Sequence, residues 1–200
     1  MQKRIRNIIS KRLNPNFNTF NPSDIEILFK LYNKLCFNGC FDNIDIIFQI
    51  SRSKNKIGEY ICYKNKHTIK ISSKICDLFD QEETLHCNGV LVHDRLGVLM
   101  SVLEHEIIHL YCNVILKRKT THGKIFRDTA FNFFSHTDFR HNLFSGTQLD
   151  KKDCYIGMKV SFKLKSTDVI GVITKLNPKR AKIHIENTIY AVPYCLLTKN

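Results

Sequence analysis

The chain has 200 residues, 43% hydrophobic and 24% charged, which suits an ordinary globular core and excludes a disordered polymer. No apolar run approaches the roughly 20 residues needed to cross a bilayer, so a membrane partner is not expected. The formal net charge is +13, and residues 151–200 alone hold 10 basic against 3 acidic side chains. Such a concentration favours a polyanion partner, because Lys and Arg release the counterions condensed on a phosphate backbone. A/T-rich codon usage, visible in the wealth of Lys, Asn, Ile and Phe, is the competing explanation.

Residues 1–20 read as a basic N-terminal arm, with Ile5, Ile8, Ile9 and Leu13 at helical spacing and no signal-peptide core. Asn21-Pro22-Ser23-Asp24 is a helix start, and Ile25, Leu28, Phe29, Leu31 and Leu35 trace its buried face as far as Asn38-Gly39. Three β-type runs come next, at 44–50, 57–63 and 68–71, with polar stretches between them that suit hairpin connections. Residues 73–80 suit a short helix and 81–90 an irregular loop. From Leu91 to Leu116 apolar residues recur at helical spacing, giving the longest helix, and a further one starts near His122 and runs through Phe134.

Composition changes at 145–155, which reads as a linker. Alternating runs at 158–165, 168–176, 181–186 and 188–192, with turns at Asn177-Pro178 and Asn187-Thr188, suggest a small SH3- or KOW-like barrel. The expected fold class is therefore α+β: a domain at 21–148 with helices packed on a small antiparallel sheet, then a β-barrel module at 153–200. Eight cysteines are scattered through apolar segments with no C-x-x-C pair. That excludes a conventional zinc ribbon and favours reduced thiols, with no disulfide-linked partner.

The chemistry concentrates in Glu104-His105-Glu106-Ile107-Ile108-His109, which contains H-E-x-x-H inside the longest helix. Residues four apart share a helix face, so the imidazoles of His105 and His109 reach one ion, with Glu106 beside it as a base for a bound water. Chance would produce the pattern in about one chain in seventy of this composition, and few of those would set it in a buried helix. A catalytic zinc needs a third protein ligand and keeps one position for water. Cys112 and Ile115 stand where a metzincin needs Gly and His, which excludes that class. His122 is the leading candidate, with Gly123 allowing close backbone approach and Phe126 packing beneath; Asp128 and His136 are the alternatives. His67, His86, His93, His141 and His184 have no such spacing.

H-E-x-x-H followed by His122-Gly123-x-x-Phe126 resembles the SprT-like, or Spartan-type, metallopeptidase family. The resemblance runs over residues 22–136 and includes L-Y-N-K-L-C-F at 31–37, Gly39, a hairpin carrying Gly58, and the strand I-K-I-S-S-K-I at 69–75. It implies a zincin-like fold, one catalytic Zn2+ on His105, His109 and His122, and Glu106 as general base. It further implies cleavage of DNA-bound or DNA-crosslinked proteins in a DNA-dependent way, at a nuclear, nucleoid or viral replication site rather than outside the cell. Many bacterial members of that family carry a cysteine zinc ribbon after the protease domain, and no C-x-x-C pair for one occurs in this sequence. The segments G-M-K-V-S-F, V-I-T-K-L-N-P-K-R-A and V-P-Y-C-L-L instead resemble a small β module joined to some members.

In that module Lys159, Lys163 and Lys165 alternate with Val160, Phe162 and Leu164, and Lys175, Lys179, Arg180 and Lys182 come after them on or between strands. A one-sided basic stripe tracks a phosphate backbone without reading sequence, so these seven are the candidate DNA contacts. Two other readings are open. One is a nucleic-acid-binding protein with a structural or inactive zinc site, and the other a general zinc peptidase with no DNA dependence.

Overall fold

The computed structural model describes residues 1–79, 85–119, 121–139, 149, 151–164 and 167–199. The chain divides into two units, Met1–Leu143 and Phe144–Asn200, with mixed α and β structure in the first. No helix among the described residues is long and apolar enough to cross a membrane.

In the first unit, α1 (Gln2–Ile9) and the chain after it belong to the folded core: Ile5, Ile9, Leu13, Phe17 and Phe20 are buried, while Ile8 faces out. The basic segment set apart by sequence is thus packed down, and Arg6 forms an ion pair with Asp94. α2 (Pro22–Cys36) starts as its sequence requires. The Asn21 side chain accepts from the backbone of Ser23 and Asp24, Asp24 returns a bond to the Asn21 N–H, and Pro22 fills the first turn. The helix stops where Asn38 and Gly39 take positive φ.

The sheet beyond this helix departs from expectation. β2 (Gly58–Tyr63) and β3 (Lys66–Ser72) form a hairpin through Lys64-Asn65, but β1 (Ile46–Ser51) pairs with β3 in parallel, giving the order β1-β3-β2. The sheet is mixed rather than antiparallel. Residues 52–57 form a crossover instead of a hairpin, held where Ser72 donates from its N–H to Ile57 O and from its hydroxyl to Ser53 O. As the central strand, β3 buries Ile69 and Ile71 completely. β2 is left at an edge.

A second correction concerns the expected irregular loop. Residues 85–92 form a hairpin, β4 (Leu85–Cys87) and β5 (Val90–Val92), turning on Asn88 and Gly89, both at positive φ. Residues 81–84 lie outside the described residues. Next comes α3 (Arg95–Val114), capped by Asp94, whose carboxylate accepts from Gly97 N–H. It touches α2, β2, β3 and α4 (Lys124–Phe134), so it is buried almost all round. Arg95 is accommodated there because its guanidinium donates to Leu78 O, Phe17 O and Asn18 Oδ1.

The second unit is an antiparallel sheet in the order β10-β6-β7-β8-β9, built from β6 (Lys159–Leu164), β7 (Thr167–Leu176), β8 (Arg180–Ile185), β9 (Thr188–Pro193) and β10 (Thr198–Lys199). Val160, Phe162, Ile173, Ala181, Ile183 and Val192 fill its inner face with Met158, Tyr194 and Leu197. The strand runs match the sequence alternation. Pairing leaves β10 and β9 at opposite edges, so the described strands do not close into a barrel. The last turn falls on Glu186-Asn187, with Glu186 at positive φ. Of the expected linker, 145–148 and 150 lie outside the described residues.

Candidate metal centre

α3 sets His105 and His109 on one side of its middle, as their four-residue spacing dictates, and Glu106, one residue on, lines the same cleft. His122 comes from the turn before α4. Its Nε2 lies 3.0 Å from His105 Nε2 and 3.2 Å from His109 Nε2, and the ligand atoms of all three lie within 4.8 Å of one another. A tetrahedral ion with metal–nitrogen bonds of roughly 2.0–2.1 Å needs edges of about 3.3 Å, which the two separations from His122 approach. Facing nitrogen lone pairs at such distances repel unless a proton or cation lies between them. The chain therefore brings together a group that could hold a metal ion.

Burial falls across the group: His105 is 1% exposed, His109 is half-buried and His122 is exposed. The Phe126 ring, fully buried, lies 4.9 Å from the His105 ring, 4.3 Å from His109 and 5.0 Å from His122, the supporting position expected of it. Gly123 does not play the part expected. A Cβ there would meet nothing within 4 Å, so no close approach requires glycine.

Glu106 is 2% exposed and faces Gly58 on the edge strand β2. A Cβ at Gly58 would stand 2.4 Å from Glu106 Oε1 and 2.7 Å from Val102 Cγ1, so that glycine makes the space the carboxylate occupies. The group opens on a cleft of about 470 Å³ whose walls include β2 residues Gly58, Tyr60 and Cys62 together with Asn113 and Lys119.

One wall was not anticipated from sequence. Tyr60 Oη lies 2.8 Å from His67 Nδ1 and accepts from Asn113 Nδ2 at 2.7 Å, tying β2, β3 and α3 together beside the cleft. Burial pushes the Tyr60 hydroxyl up to about 12 and pulls His67 below its ordinary value, with Lys117 adding to the latter. Asn113 was legible, since it follows His109 by four residues on the same helix face.

The alternative third ligands are otherwise engaged. Asp128 pairs with Lys124 on the surface, and His136 is fully buried against Glu104. His86, His93 and His184 are exposed, and His141 lies outside the described residues. The cysteines at 36, 40, 62, 76, 87, 112 and 154 form no disulfide among the described residues. Among the candidate DNA contacts, Lys159, Lys175, Lys179, Arg180 and Lys182 are exposed on the second unit, Lys163 lies in β6, and Lys165 lies outside the described residues. No protein-family model matches the chain, and no curated protein matches it.

Proposed function

We propose that this chain is a zinc-dependent endopeptidase of SprT-like type, its first unit zincin-like and its second an SH3-like β module, acting on proteins bound or crosslinked to DNA. One observation carries the enzymatic reading: three imidazole nitrogens converge at 3.0 and 3.2 Å beside a buried carboxylate on an open cleft. Zinc on His105, His109 and His122 would polarise the scissile carbonyl and lower the pKa of a water from 15.7 to about 7. Glu106 takes the proton of the attacking water and returns it to the departing amine. Gly58 keeps the edge of the carboxylate's space clear for that exchange. A purely structural metal site has no use for a buried base facing a cleft, which favours the enzyme over an inert zinc protein.

The substrate side of the proposal rests on charge. Exposed Lys159, Lys175, Lys179, Arg180 and Lys182 support contact with a phosphate backbone irrespective of sequence, and on that reading the activity acts at DNA. The test is Glu106→Gln assayed on a DNA-bound protein, with and without DNA and chelator, with zinc quantified in the same samples. The expected result is loss of cleavage with zinc still near one per chain. Retained cleavage by the variant would remove Glu106 from its role, and cleavage indifferent to DNA would leave a general zinc peptidase.

A further inference from the structure

Of the three histidines, His122 alone lies outside α3. His105 and His109 are held by a buried helix, whereas His122 is exposed and precedes an N-terminus of α4 that has no side-chain cap. The segment after α4 runs back towards His122. Ser135, at positive φ, turns the chain so that His136 enters the core, with Nε2 at 3.0 Å from Glu104 Oε2. Glu104 adjoins His105 in sequence but engages other elements. Its Oε1 also accepts from Tyr32 Oη at 2.5 Å and Gln2 Nε2 at 2.8 Å. A buried carboxylate is tolerated only when so surrounded by donors.

Beyond His136 the chain is fastened again. The N–H groups of Thr137 and Asp138 donate to Asn88 O at 3.0 and 3.2 Å, and Asn88 Nδ2 donates to Ser101 O and Oγ on α3 at 2.8 and 3.0 Å. The β4–β5 turn fits so closely that a Cβ on Gly89 would stand 2.0 Å from Thr137 Oγ1 and 2.7 Å from Asp138 N. The segment then carries Phe139, whose ring lies 27° from parallel to that of His122, centroids 6.5 Å apart, and edge-on to Phe126 at 5.7 Å.

We propose that residues 136–139 are a positioning strap for the third metal ligand, anchored to α3 through Glu104 and Asn88 and bearing on His122 through Phe139. The inference rests on the proposed metal centre. It gives a purpose to the β4–β5 hairpin and to the buried Glu104–His136 pair, neither of which the hydrolytic chemistry uses. Groups that orient a ligand from behind typically change metal affinity 10- to 100-fold when removed.

The experiment measures zinc affinity of the full chain by chelator competition, with the Co2+ absorption spectrum as a second readout. Phe139→Ala is the deciding variant, because this side chain is only partly buried and its loss leaves no buried charge behind. Zinc should bind about 10- to 100-fold more weakly, the Co2+ bands should change, and Phe139→Tyr should restore both. His136→Gln, which keeps a donor for Glu104, should bind closer to the parent than His136→Ala does. Parental affinity in Phe139→Ala, or weaker binding with an unchanged Co2+ spectrum, overturns the strap while leaving the metal centre standing. A parent chain that takes up neither ion overturns both.

Discussion

At the scale of single residues, the site turns on what is missing from Gly58. Gly58 opens β2, where a strand residue ordinarily carries a side chain that packs, so a glycine there needs a reason. The reason is spatial, since the position of its absent Cβ is claimed by Glu106 Oε1 and Val102 Cγ1. Gly58→Ala must therefore displace either the carboxylate or a buried methyl, at a packing cost of about 1–3 kcal/mol. The atoms nearest that position belong to Glu106 and Val102, so under the proposed function zinc content should stay near one per chain while kcat/KM falls at least tenfold. Steady-state kinetics beside metal analysis checks this, and a Gly58→Ala variant with parental kcat/KM would show that Glu106 needs no such room.

At the scale of elements, the Tyr60–His67–Asn113 link couples β2, β3 and α3 and makes stability depend on pH. Neutral His67 pairs with the Tyr60 hydroxyl through Nδ1, and burial together with Lys117 holds its folded pKa below the unfolded value of about 6.5. Between those values the unfolded chain binds more protons, so folding weakens on acidification. The contribution is whole above about pH 6.5 and is lost as pH falls through the folded value. His67→Gln, which offers Tyr60 an uncharged acceptor, should lower the thermal midpoint less than the parent between pH 7.5 and 5. The measurement belongs in chelator, so that metal loss does not add to the slope; equal slopes would remove His67 as the cause. These links also show what a sequence discloses. H-E-x-x-H is readable because a four-residue spacing and a helix face are properties of a local segment. The parallel pairing of β1 with β3 is not, because it depends on which distant strand wins an edge. The hairpin at Asn88-Gly89 had its signal in that dipeptide, but strands of three residues are too short for alternation to show. Glu104 was opaque for another reason. A carboxylate in a helix reads as solvent-facing, and only the surrounding Tyr32, His136 and Gln2 make it an internal anchor.

At the scale of the whole molecule, the second unit concentrates charge in a way its own fold does not need. Lys175 and Lys182 are direct partners across β7 and β8, and like charges set opposite one another destabilise a sheet. Lys159 on β6 is level with Val172, which pairs in turn with His184, two residues from Lys182, so the exposed lysines share an outward face. A polyanion laid along that face would relieve the repulsion. Duplex DNA of arbitrary sequence should therefore raise the thermal midpoint of the full chain at low salt, and the gain should shrink as salt rises. The logarithm of affinity should fall linearly with that of salt concentration, with Lys175→Gln and Lys182→Gln each reducing the slope by about 1. If this face also serves the proposed peptidase activity, the double variant should lose DNA-stimulated cleavage and keep DNA-independent cleavage of an unfolded protein. A salt slope unchanged by both substitutions would mean that these lysines are a solvated surface and that any DNA contact lies elsewhere on the chain.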